Sequence, residues 1–277
     1  MKKLDGRVAA ITGAGSGIGR ALAIELAGRG MHLALSDIDE SGLADTVARC
    51  EGRGVKVTSQ RVDVADRHAV YAWADEVVSE HGKVNLVVNN AGVAVASTIE
   101  SVSYEDFEWL MNINFWGVVH GTKAFLPHLM QSGAGHIVNL SSVFGLISVP
   151  SQGTYNASKF AVRGFTDCLR MELDAARCGV SATTVHPGGI TTNIARNARM
   201  DESVTVLAGS RDQAVADFDK IAITSPERAA KAIVKAVRRN RRRVLVGPDA
   251  TVIDGLARLP AALSQRLISA GARRRPR

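Results

Sequence analysis

Cysteine is scarce: Cys50, Cys168 and Cys178 are the only three in 277 residues, and their spacing is irregular. That excludes a disulfide framework or a zinc site and suits a chain kept reduced in a cytoplasm. Aromatic residues make up only 5%, and none interleave with the arginine runs, so stacking of nucleic-acid bases has no platform there. No uninterrupted apolar stretch approaches the ~18 residues of a membrane span. Met1-Lys2-Lys3 has the charge of a signal-peptide start, but Asp5, Arg7 and Gly13, Gly15, Gly17 and Gly19 break any apolar segment after it. There is no low-complexity linker and no internal repeat of solenoid length.

Positive charge is in excess, at +7. Much of it sits in Arg238-Arg239-Asn240-Arg241-Arg242-Arg243 and Arg273-Arg274-Arg275-Pro276-Arg277. No helix-turn-helix or RNA-binding signature accompanies these runs, so they read as solvated charge at a helix end and on a frayed tail. No nucleic-acid partner is expected. Hydrophobic residues at 46% and 26 glycines suit a soluble domain of closely packed helix-on-sheet layers.

Short apolar runs alternate with longer amphipathic segments. Strands are predicted at 7–12, 31–36, 55–61, 84–88, 136–140, 180–186 and 244–246. Helices are predicted at 17–29, 40–51, 67–81, 105–131, 153–177 and 226–239. This alternation implies right-handed crossovers and a single doubly wound α/β domain over residues 1–248, with a seven-stranded parallel sheet covered on both faces. Segment 191–225 is long for a connection and reads as a substrate loop or lid. Residues 249–277 form an extension with an apolar helical face (Val252, Ile253, Leu256, Leu259, Leu263, Leu267) that needs a partner.

The first strand runs into Thr12-Gly13-Ala14-Gly15-Ser16-Gly17-Ile18-Gly19 and then a helix. Glycines let the backbone approach a pyrophosphate, and the helix start offers free N–H groups and a positive dipole end. Asp37 ends the second strand about twenty residues on, where a carboxylate can accept from adenosine ribose hydroxyls and repel a 2′-phosphate. Its competing role is a helix N-cap, since Asp37 and Asp39 both precede a helix. In Tyr155-Asn156-Ala157-Ser158-Lys159, four-residue spacing puts phenol and ammonium on one helix face. The cation and the helix start are expected to lower the phenol pKa. Ser141-Ser142 ends a strand at the carboxyl edge of the sheet, where ligands bind.

Taken together, Thr12-Gly13…Gly17-Ile18-Gly19, Asn89-Asn90-Ala91-Gly92, Asn114…Gly117, Ser142, Tyr155…Lys159 and Pro187-Gly188…Thr192 resemble the motif series of the short-chain dehydrogenase/reductases, in order and in spacing, over about residues 4–246. Within that family, the segments at 35–39, 115–126 and 160–166 are similar to a mycobacterial SadH-type alcohol dehydrogenase subgroup. The resemblance implies an NAD-dependent enzyme that interconverts an alcohol and a ketone or aldehyde. By the same resemblance Tyr155 is the general acid/base, and Lys159 binds the nicotinamide ribose and depresses the tyrosine. Ser142 bonds the substrate oxygen, and Asn114 holds a proton-relaying water. Gly13, Ser16, Gly17, Ile18, Gly19, Asp37, Asp63, Val64, Asn90, Ala91, Gly92, Pro187, Gly188, Ile190 and Thr192 line the cofactor, Ile190 and Thr192 at the nicotinamide carboxamide. A homodimer or homotetramer is implied as well, and no metal.

Pocket walls at 94–97, 143–152 and 191–225 are rich in Val, Phe, Leu and Ile, which points to a small alcohol or carbonyl substrate of apolar character. The runner-up is an NADPH-dependent ketoreductase, opposed by Asp37 and by the lack of a basic residue at Ser16. From another class comes a cofactor-sensing protein without chemistry, opposed by the retention of Asn114, Ser142, Tyr155 and Lys159. A third reading makes the basic tail a membrane-surface anchor; membrane association is not expected, because such a face more often packs on protein.

Overall fold

Continuous apolar strands are the mark of a sheet buried on both faces, and the chain builds one. The computed structural model describes residues 1–204 and 210–273, with side chains to 270. In chain order come β1 (Val8–Thr12), α1 (Gly17–Ala27), β2 (His32–Asp37), α2 (Glu40–Cys50), β3 (Val57–Arg61), α3 (Arg67–His81), β4 (Leu86–Asn89), β5 (Val95–Ala96) and α4 (Tyr104–Met111). A π-helical turn (Asn112–Trp116) leads into α5 (Gly117–Gln131), followed by β6 (Gly135–Leu140), α6 (Gly153–Ala176), β7 (Val180–Pro187) and β8 (Arg199–Met200). The chain continues with α7 (Arg211–Ile221), α8 (Pro226–Arg238), β9 (Arg243–Val246), α9 (Pro248–Leu256) and α10 (Ala261–Arg273).

Seven strands pair in parallel in the order β3-β2-β1-β4-β6-β7-β9. The order reverses direction between β1 and β4, which opens a crevice at their carboxyl ends. Every residue of β1, β4 and β6 is buried. One core lies between the sheet and α1, α2 and α8, around Leu22, Leu26, Leu33 and Ile233. The other lies beneath α3, α5 and α6, where Phe125 meets Trp73 edge-on at 5.1 Å.

The structure departs from the sequence reading in three places. The helix predicted at 105–131 is two helices joined by the π turn. One extra residue there widens the hydrogen-bond ladder, a distortion common at functional sites. Segment 191–225 is no plain loop: β8 pairs with β5 in a two-stranded sheet, and α7 follows. The C-terminal face at 250–270 is broken between α9 and α10, and Val252, Leu259, Leu263 and Leu267 are exposed. Ile253 and Leu256 are half-buried, so the apolar face packs on its own fold only in part. Of the basic runs, Arg242 pairs with Asp174 and Arg243 with Asp167, while Arg274, Arg275 and Arg277 lie outside the described residues. All three cysteines are free. Among the described residues, no helix is long and apolar enough to cross a membrane, and no cluster is suited to a metal.

Candidate active site

The glycine-rich turn joins β1 to α1 with Gly13 at φ 65° and Gly17 at φ 50°, a region closed to most side chains. A Cβ on Gly13 would sit 2.8 Å from Ala91 Cα, and one on Gly19 would collide with the Gly13 carbonyl. The turn is stapled from β4: the Asn90 amide donates to the carbonyls of Thr12 and Gly13, and Thr12 Oγ1 accepts from the Asn90 and Ala91 N–H groups. Ser16, the N-cap of α1, makes no side-chain capping bond, and the first turn carries no acidic residue. The positive end of α1 is therefore left uncompensated above a backbone cradle. This fits the pyrophosphate of a dinucleotide.

Asp37 turns toward this cradle. Its Oδ2 accepts from the Gly15 N–H at 2.8 Å and its Oδ1 from Asp39 at 3.0 Å. The helix-capping role belongs instead to Asp39, whose carboxylate accepts from the Gly42 N–H at the start of α2. Asp63 folds back onto the Ala65 N–H at 2.9 Å. Val64 is buried, its side chain close to the Cα of Gly117.

The catalytic candidates gather at the carboxyl ends of β4 and β6. Ser142 follows β6, and its hydroxyl accepts from the Phe144 N–H at 3.1 Å. Asn156 fastens the following loop to α6, donating to the carbonyls of Phe144 and Ile147 and accepting from Val149. Tyr155 and Lys159 share a face of α6, with Lys159 Nζ 5.4 Å from the phenol ring centre. Lys159 is buried and donates to the Leu140 carbonyl at 3.0 Å. Gly92 leaves room beside it: a Cβ there would lie 3.2 Å from Asn114 Oδ1 and 3.6 Å from Lys159 Nζ. Asn114 sits fully buried in the π turn. Its Oδ1 accepts from the Val93 N–H, and its Nδ2 donates to the Val93 carbonyl and to Ser158 Oγ.

Burial governs the electrostatics. It pushes the Tyr155 phenol up to about 12, with the Ser142 hydroxyl beside it pulling the other way. It lowers the Lys159 ammonium to about 8. The sequence reading anticipated a lowered phenol from the cation and the helix start; desolvation of the phenolate outweighs both in the protein without its ligands. Lys159 keeps its proton at neutral pH, at a cost to folding.

After β7, the chain turns through Pro187, Gly188 and Gly189 to a buried Ile190, whose segment bridges to Thr224. Thr192 reaches the cradle: its methyl lies 3.1 Å from where a Gly17 Cβ would stand. The motif residues thus follow the carboxyl ends of β1, β2, β3, β4, β6 and β7, or stand on α6 and in the π turn before α5. Asn156, Asp249 and His186, whose Nδ1 bonds the Ser142 carbonyl at 2.8 Å, were not foreseen. Their pattern is tertiary and carries no local spacing.

A doubly wound sheet with a glycine cradle at its switch point and a Ser-Tyr-Lys cluster beside it defines a nucleotide-dependent oxidoreductase class. The sequence model of the short chain dehydrogenase family matches residues 7–203, and the chain belongs to that family. It is 52% identical to the oxidoreductase SadH of Mycobacterium tuberculosis over 273 residues, covering 98% of this chain and 97% of the relative. It is also similar to the solved structure of a short chain dehydrogenase/reductase from Burkholderia phymatum in complex with NAD. That match has a TM-score of 0.85 and 33% identity, and covers 100% of this chain and 98% of the other. A Thermococcus sibiricus alcohol dehydrogenase complexed with 5-hydroxy-NADP matches at TM-score 0.73 and 26% identity, covering 87% of this chain and 95% of that one.

Proposed function

We propose that the protein is an NAD-dependent oxidoreductase interconverting an alcohol and a ketone or aldehyde. The observation that carries this reading is the convergence of Ser142, Tyr155 and a buried Lys159 beside an uncapped helix start. When bound, the nicotinamide supplies the hydride acceptor or donor. Gly13, Ser16, Gly17, Ile18 and Gly19 hold its pyrophosphate, and Asp37 the adenosine ribose. Asp63 and Val64 would border the adenine, Asn90, Ala91 and Gly92 would form the floor, and Ile190 and Thr192 would meet the carboxamide, with Pro187 and Gly188 in the turn before them.

Ser142 and Tyr155 hold the substrate oxygen. In the oxidative direction Tyr155, as phenolate, takes the hydroxyl proton; in reduction it returns a proton to the developing alkoxide. Lys159 binds the nicotinamide ribose and lowers the tyrosine from its buried value. Both amide hydrogens of Asn114 are spent on Val93 and Ser158. Its proton-relay water is therefore held by an acceptor, either the second lone pair of Oδ1 or a carbonyl of the π turn. An apolar substrate suits walls at 94–97 and 143–152, where Val95, Ala96, Val143, Leu146 and Ile147 are buried. The described parts of segment 191–225, including β8 and α7, close over bound cofactor and substrate; 205–209 of that segment lie outside the described residues. Exposed Trp116, Phe160 and Met171 support a homo-oligomer, and the free cysteines a cytoplasmic setting.

The test is a panel of alcohols of graded length with NAD, read by absorbance of the reduced cofactor, and the matching aldehydes and ketones with NADH. Turnover rising with apolar chain length supports the reading. No turnover in either direction with either cofactor overturns it.

A further inference from the structure

The C-terminal extension begins against the turn that follows β7. β9 ends at Val246, Gly247 turns the chain at φ 103°, and Pro248 opens α9. The next residue, Asp249, points its carboxylate at the turn after β7. Its Oδ2 accepts from the Gly189 N–H at 2.6 Å. Its Oδ1 is shut away from solvent without a hydrogen-bond partner. The fit is close: a Cβ on Gly188 would collide with this carboxylate, and so would one on Gly247.

The rest of the turn is tied down from both sides. The Gly188 N–H donates to the Val246 carbonyl at 2.9 Å. The Gly189 carbonyl accepts from Thr224, and the Thr191 N–H donates to Thr224 in return. Asp249 supplies the single side chain in this clamp that is anchored beyond β9. The next residue after the clamp, Thr192, meets the glycine cradle. A half-buried carboxylate with one oxygen shut away and unsatisfied is a costly way to hold a turn, and such groups are kept where position matters.

We propose that Asp249 is a positioning residue that fixes the 187–192 turn in the shape that receives the nicotinamide end of the cofactor, which makes the C-terminal extension part of the cofactor site. This rests on the nicotinamide reading above. Asp249 touches the turn and not the ligand, so its effect is confined to ligands that use the turn.

The test compares NADH with ADP-ribose, which keeps the adenosine and pyrophosphate and lacks the nicotinamide, by calorimetric titration of the full chain. Asp249→Ala removes the acceptor and is expected to weaken NADH about tenfold, the loss of one charge-assisted hydrogen bond. ADP-ribose affinity stays within about twofold, which also reports an intact fold. Asp249→Asn keeps an oxygen for the Gly189 N–H and holds NADH within about threefold of wild type. Unchanged NADH binding by Asp249→Ala overturns the proposal. So does equal weakening of both ligands, or an Asn variant as weak as Ala. A wild-type protein that binds neither ligand overturns the cofactor reading, and this inference with it.

Discussion

Asp37→Ala exchanges cofactor preference if the cradle is built for an unphosphorylated ribose. The Asp37 carboxylate already accepts one backbone N–H on each oxygen, from Gly15 and Asp39. Each oxygen has a second lone pair to offer a ribose hydroxyl. A 2′-phosphate brings ~1.5–2 negative charges to the same place. At about 4 Å and an effective dielectric of 20, each unit-charge pair is worth ~4 kcal/mol, a ceiling before other charges act. Arg20 does not offset it, because its guanidinium is held by Asp45, Thr46 and the Gly15 and Gly42 carbonyls. Arg61, opposite Asp37 in the β2–β3 register, is exposed to solvent. Solvent screening at a half-buried carboxylate cuts that ceiling to about 3 kcal/mol, roughly a hundredfold preference for NAD. In Asp37→Ala, NAD use falls, NADP use rises as the repulsion is removed, and the kcat/KM ratio moves toward unity. Because Asp39 caps α2, stability changes little. A wild type that prefers NADP, or a ratio unmoved by the substitution, refutes the reasoning.

Lys159→Met is expected to lose activity and gain stability together. The buried ammonium falls from 10.5 to about 8, so its burial costs the fold ~3 kcal/mol below pH 8, and the cost fades as pH rises toward 10.5. Orphaning the Leu140 carbonyl returns part of it, leaving a net gain of ~1–2 kcal/mol at pH 7. Denaturation at pH 7 and pH 10.5 checks this; equal effects at both contradict it. Limited proteolysis is expected to cut first within 191–225 and to be suppressed by NAD. Equal cleavage with and without NAD counts against closure.

Seven strands and most helices could be read from alternation alone, α3 to the residue, because strands covered on both faces are nearly pure apolar runs. Two-residue strands such as β5 and β8 carry no period and went unseen. The π turn was hidden because one inserted residue leaves the apolar spacing on either side intact. Motif spacing located Ser142, Tyr155 and Lys159 because strand ends and one helix face fix their relative positions. It missed the direction of the Tyr155 pKa, since charges and dipoles can be counted along a chain while desolvation depends on what the fold covers. Asp249 escaped for a related reason: its partner Gly189 is sixty residues away.

The central claim is that Tyr155 moves the proton. Tyr155→Phe keeps the ring, including its edge contact with Phe144 at 6.0 Å, and removes only the hydroxyl. Steady-state turnover with the best alcohol of the panel, alongside titration of NADH, measures both halves of the claim. Turnover is expected to fall by ~10²–10⁴ while NADH affinity stays within about threefold. Turnover within a few-fold of wild type, with the cofactor still bound, contradicts it.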